Sequence, residues 1–96
     1  MFDYIREFQT LAEHLNFTSA ARELGLSQSG LSRHMAALEP DLGFELLTRS
    51  PVRLTPAGAR YLERVGGILD AHDQLVRECV ALSKNQTPAL RIAMAE

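Results

Sequence analysis

Residues 18–39, Thr18-Ser-Ala-Ala-Arg-Glu-Leu-Gly-Leu-Ser-Gln-Ser-Gly-Leu-Ser-Arg-His-Met-Ala-Ala-Leu-Glu39, constrain the fold more than any other stretch. They read as two short helices around a tight corner. Thr18 is placed to cap the first, because its hydroxyl can accept from the free N–H groups of a first turn. Gly25 stands just past the apolar Leu24, where a helix commonly ends in a left-handed residue. Ser27 then caps a second helix beginning at Gln28. Two helices joined by a short turn containing glycine form a helix-turn-helix.

The second helix has two faces. Leu31, Met35 and Leu38 make an apolar stripe at i, i+4, i+7. Gln28, Ser29, Ser32 and Arg33 share another face that carries no acid. Glutamine can bond an adenine edge in two places, arginine can do so to guanine, and serine can bond either. That face has the chemistry to read a major groove. The alternative is an ordinary solvated face on a surface helix, and these residues alone leave it open.

In the flanking sequence, Ile5, Phe8, Leu11, Ala12 and Leu15 predict an amphipathic helix over residues 2–15, ended by Asn16. Ala20, Ala21 and Leu24 should face inward, their small size setting how closely the second helix approaches. Pro40 predicts an end or kink near Leu38 or Glu39. The runs 46–49 and 52–55 flank Ser50-Pro51 and read as a hairpin, the wing of the motif. Arg53, between Val52 and Leu54, should point away from its apolar neighbours.

Thr55-Pro56 announces a last helix, with Thr55 as cap and proline at its first position. Tyr61, Val65, Ile68, His72, Leu75, Cys79 and Leu82 follow at 4-3-4-3-4-3 spacing, a heptad seam. Leu62, Leu69 and Val76 widen it. A helix to Lys84 would run about 40 Å, more apolar surface than a small head can cover. Pairing with a second copy is the expectation, and folding back onto the head the alternative. His72 and Cys79 bring no further ligands at metal-binding spacing, and His14 has no partner of that kind either, so packing and surface roles are expected for them. Residues 85–96 read as a linker followed by a partly alternating strand.

The single Cys79 excludes an internal disulfide and reads as a small packing residue. No charged-then-apolar leader and no run of 18 apolar residues occurs, so neither a signal peptide nor a membrane span is expected, and a cytoplasmic location is. The net charge of −2 does not advertise nucleic-acid binding, but its distribution is uneven. Residues 1–17 hold one arginine against three acids, whereas no acid lies between Glu45 and Glu63, where Arg49, Arg53 and Arg60 fall. With Arg33 these form a modest positive patch that would bind weakly as a single copy. No paired carboxylates, nucleophile with a base, phosphate loop or metal cluster suggests an enzyme.

The chain resembles the N-terminal part of LysR-type transcriptional regulators. The resemblance rests on Phe8, Ala12, Asn16-Phe17-Thr18-Ser19-Ala20-Ala21, Leu24, Ser27-Gln28, Ser32, Leu38-Glu39, Leu42-Gly43, Leu46, Arg49, Leu54-Thr55 and Ala57-Gly58, in order and without a gap. It implies a mainly α fold: a winged helix-turn-helix with a small β-hairpin wing over 1–58, a long dimerisation helix over 59–84, and over 85–96 the hinge and start of an effector-binding domain that this chain lacks. It implies double-stranded promoter DNA as partner, a homodimer (or a dimer of dimers in the whole regulator), no cofactor in this chain, and a small-molecule effector bound by the lacking domain.

Carried over by position, the resemblance assigns DNA contacts to Gln28, Ser29, Ser32 and Arg33, phosphate contacts to Thr18 and Ser19, and a wing contact to Arg53. Arg49 either pairs with an acid such as Glu39 or touches phosphate. The sequence departs from the family at Ser29-Gly30, where many members have proline and alanine, at Leu47, a common phenylalanine, and at Pro40. A winged-helix interaction module that makes no DNA contact is the alternative function, and the low net charge favours it.

Overall fold

A computed structural model of the chain describes residues 2–84. Among them the order is α1 (Phe2–His14), α2 (Phe17–Leu24), α3 (Gln28–Leu42), β1 (Leu47–Arg49), β2 (Val52–Leu54) and α4 (Pro56–Lys84). The chain divides into two compact units, the first ending at Val65 and the second beginning at Gly66. The linker and strand expected over 85–96 lie outside the described residues.

The first unit is a three-helix head with a hairpin. Ile5, Phe8 and Leu11 of α1, Ala20 and Ala21 of α2, and Leu31, Met35 and Leu38 of α3 form its core, closed by Leu46, Leu47 and Val65. Burying a leucine or phenylalanine side chain contributes about 1.5–3 kcal/mol each. Tyr61 completes the packing, its ring 6.1 Å from that of Phe8 and 5.7 Å from that of Phe44. Burial pushes the Tyr61 phenol above the ordinary tyrosine pKa. Its contribution to stability is therefore complete below that ordinary value and is lost as pH rises through the raised one.

α3 runs unbroken through Pro40 to Leu42, which corrects the expectation of an end or kink near Leu38. The proline removes only the N–H that would bond the Ala36 carbonyl, and Ala36 is exposed, so solvent can take the donor's place. The helix stops at Gly43, where φ is 94° and the N–H donates to the Glu39 carbonyl at 2.8 Å. The wing forms as expected, with Leu47 opposite Leu54, Thr48 opposite Arg53 and Arg49 opposite Val52. Thr55 caps α4, its hydroxyl oxygen accepting from Gly58 N–H at 2.9 Å. The same hydroxyl donates to the Glu45 carbonyl, which fastens the helix start to the segment before the wing.

The second unit continues α4 from Gly66. Ile68, Leu75 and Leu82, seven residues apart, are 61%, 54% and 69% exposed, and Val76 and Val80 are exposed beside them. His72 and Cys79 are exposed as well. Val65 and Leu69 are 4% and 1% exposed in the single chain. Tyr61 and Leu62 are half-buried, and the Tyr61 ring is taken by Phe8 and Phe44. No helix among the described residues is long and apolar enough to cross a membrane.

Candidate nucleic-acid interface

The corner between α2 and α3 is built by local chemistry at three points. Asn16 is the residue that caps α2, its Oδ1 accepting from Ser19 N–H at 2.9 Å. This corrects Thr18 as the cap: α2 begins two residues earlier than Thr18 would allow, at Phe17, and the residue before that start, Asn16, has the extended backbone a cap needs. Gly25 closes α2 with φ at 72°, and the N–H of Leu26 reaches back to the Ala21 carbonyl at 2.9 Å. Ser27 opens α3, its Oγ accepting from Gly30 N–H at 2.9 Å. A Cβ at Gly30 would stand 2.9 Å from that Ser27 oxygen.

With Leu31, Met35 and Leu38 buried, α3 turns Gln28, Ser29 and Arg33 fully outward and Ser32 half outward. The Thr18 hydroxyl donates to Gln28 Oε1 at 3.1 Å, joining the first turns of α2 and α3. Ser19, on the same first turn of α2, is half-buried and makes no side-chain hydrogen bond among the described residues. On the wing, Arg53 is exposed between half-buried Val52 and Leu54, as period-two geometry requires. Thr48 opposite it donates to the Pro51 carbonyl at 2.7 Å and steadies the turn.

The arginines divide by what they face. Arg33 and Arg53 have no ion pair among the described residues. Arg49 is 3.2 Å from Glu39 Oε1, donates to the Leu47 carbonyl, and lies 5.6 Å from the Phe17 ring centroid. Of its two readings, pairing with Glu39 is the one realised. Glu39 does more: its Oε2 accepts from the N–H groups of Leu46 at 2.7 Å and Leu47 at 3.2 Å. One carboxylate thus ties α3 to the wing through three donors. Glu39→Ala should lower the head's unfolding free energy by about 2–3 kcal/mol, because it strands two backbone donors and a cation. Denaturant melts of the variant against the parent chain check this, and Glu39→Gln should retain part of the loss.

Sequence reasoning missed one tie of α3 to α1. His34 Nδ1 lies 2.7 Å from Glu7 Oε1, and its ring stacks on Tyr4 at 4.2 Å. The pair is 27 residues apart in sequence, so no local periodicity signals it. It fixes the rotation of α3 one residue from Arg33.

The comparisons with known proteins agree with this geometry. The family model described as bacterial regulatory helix-turn-helix protein, lysR family, matches residues 2–59. A probable hydrogen peroxide-inducible genes activator of Streptomyces viridosporus is 41% identical over 92 residues, which span 94% of this chain and 30% of that protein. Among solved structures, the DNA-binding domain of BenM on catB site 1 DNA superposes with a TM-score of 0.77 at 31% identity, covering 92% of this chain and 97% of that one. The DNA complex of the CbnR DNA-binding domain gives a TM-score of 0.78 at 36% identity, covering 86% and 98%. The chain belongs to the lysR family of bacterial regulatory helix-turn-helix proteins.

Proposed function

We propose that this chain is the sequence-specific DNA-binding part of a transcriptional regulator and binds double-stranded DNA as a homodimer. One observation carries the reading: the outward face of α3 and the wing together present polar groups, Gln28, Ser29, Ser32 and Arg33 on the helix and Arg53 on the wing, and neither Arg33 nor Arg53 is ion-paired among the described residues. The similarity to two domains solved on DNA supports it. Gln28 and Arg33 read base edges, while Ser19 and Arg53 hold phosphates. Arg49 acts through the wing's position, since its charge is paired with Glu39.

The dimer forms along the exposed stripe of α4, Ile68, His72, Leu75, Val76, Cys79 and Leu82. The chain spans 30% of the length of the Streptomyces relative. We assign binding of a small-molecule effector to the portion such relatives carry beyond it. The chain itself works without a cofactor and catalyses no reaction, and its place is the cytoplasm.

The net charge of −2 favours a second reading, a protein-interaction module with no DNA contact. Titration onto duplex DNA at several salt concentrations separates the two. DNA binding requires log K to fall linearly with log salt. Arg53→Ala should weaken all sequences alike and reduce the slope by about 1, whereas Arg33→Ala should cost about 1–3 kcal/mol at one base position. Absence of binding to any duplex at low salt would favour the interaction module.

A further inference from the structure

We propose that Thr18 is a positioning residue that turns the Gln28 amide so that its Nε2 donors face the major groove, and that the head therefore selects a base edge offering acceptors, guanine or thymine, where Gln28 reads. This rests on the reading of α3 as a DNA-contacting helix.

The geometry starts from a single proton. A threonine hydroxyl has one O–H to donate, and that of Thr18 is directed at Gln28 Oε1 at 3.1 Å. The same proton cannot also bond a phosphate oxygen, which only accepts. Thr18 is thereby moved from the phosphate contact expected of it to the orientation of a neighbour. Ser19, whose hydroxyl makes no bond among the described residues, keeps its proton for phosphate.

The amide's orientation follows from where it sits. Thr18 is the second residue of α2 and Gln28 the first of α3, so both lie in first turns. The unpaired N–H groups of two helix starts give this corner a positive potential. An acceptor turned inward is stabilised there, and an amide donor turned inward is opposed. With Oε1 held back by Thr18, the outward end of the Gln28 side chain is its NH2 group, a pure donor.

A glutamine free to rotate pairs with adenine by presenting oxygen to N6–H and nitrogen to N7 together. A donor-only amide can bond adenine at N7 alone, beside an N6–H that repels it, whereas guanine offers two acceptors, N7 and O6, and thymine offers O4. Thr18 thus sets which base Gln28 accepts without touching the base.

The test uses the whole 96-residue chain. A duplex is selected from a randomised library and titrated by fluorescence anisotropy, with each of the four bases placed in turn at each position. Gln28→Ala identifies the position that Gln28 reads, as the one where preference vanishes. There the parent chain should prefer guanine or thymine over adenine by about tenfold. Thr18→Val should bring adenine within about threefold of the favoured base at that position alone, with an unchanged salt slope, as expected of a freed bidentate amide. Thr18→Ser should restore the preference. Thr18 is exposed, so these variants keep the fold, which matched thermal melts verify. The proposal is overturned by an adenine preference in the parent chain, by unchanged base preference in Thr18→Val, or by a uniform loss with a salt slope reduced by about 1, the mark of a phosphate contact. A parent chain that selects no duplex at all overturns the DNA-binding reading beneath it.

Discussion

The double variant Ile68→Glu, Leu75→Glu should sediment as a monomer and bind its selected duplex at least about 100-fold more weakly than the parent chain, the loss that follows when two linked heads become independent. Both side chains are more than half exposed in the single chain, so the substitutions leave the head's own packing intact. Two glutamates per copy would instead place four carboxylates in one apolar seam. Burying unpaired charge there costs far more than the seam returns. The head alone has little to bind with. On the proposed face the cations without an ion pair among the described residues are Arg33 and Arg53, and the chain as a whole is net acidic. Light scattering and anisotropy titration on the same preparation check both halves. A dimeric variant would move the interface elsewhere, and a monomer with undiminished affinity would show that one head suffices.

Gly58→Ala should destabilise the head by about 3 kcal/mol, the upper range for forcing atoms into a packed site. A Cβ at Gly58 would stand 2.1 Å from the Leu46 carbonyl oxygen and 2.9 Å from its carbonyl carbon, both backbone atoms that no rotamer change can move aside. The helical advantage of alanine over glycine, about 1 kcal/mol, is too small to offset the clash. The Leu46 carbonyl also accepts from Thr55 N–H at 3.0 Å, so any retreat of that backbone loosens the helix start and the wing together. A fall in melting temperature of more than about 10 °C is the expected readout for a domain of this size. An unchanged melting curve would mean that α4 does not approach this close in solution.

The parts of this design legible in the sequence are those governed by local chemistry. Gly25 and Ser27 bracket the corner because left-handed backbone and N-cap geometry each select few residue types, and both act where they were expected. The buried stripe Leu31, Met35, Leu38 and the alternation around Arg53 follow from the 3.6 and 2.0 periodicities of helix and strand. What resisted reading has physical reasons of other kinds. Asn16 and Thr18 are both competent caps two residues apart, and the choice depends on where Phe17 begins the helix. Pro40 looks like a terminator, but the carbonyl it orphans faces solvent, a fact that only the tertiary fold supplies. The heptad seam extends in sequence from Tyr61 to Leu82, yet the Tyr61 ring packs on Phe8 and Phe44 of the head, because periodicity marks apolar positions and is silent about which partner covers them. The His34–Glu7 pair joins segments far apart in the chain and leaves no local trace, and the two backbone donors of Leu46 and Leu47 that Glu39 also holds are set by the turn after α3.

The site residues show the same division. The sequence marks Gln28, Ser29, Ser32 and Arg33 as one polar face, and α3 displays them together. By charge count alone Arg49 and Arg53 are similar cations, and only the family resemblance offers Glu39 as a partner for Arg49. The fold separates them, pairing Arg49 with Glu39 at 3.2 Å and leaving Arg53 exposed. Charge counts along a chain cannot make that distinction, since an ion pair is a property of the fold.

The central claim, that two copies of this head read DNA as a unit fixed by α4, is tested most directly by spacing. Dimeric helix-turn-helix proteins contact half-sites separated by whole helical turns, about 10–10.5 base pairs or multiples of it. Hydroxyl-radical footprinting of the chain on its selected duplex should show two protected patches on one face, and inserting about five base pairs between them, half a turn, should reduce affinity towards that of a single head. A single protected patch, or two patches indifferent to the insertion, would contradict it.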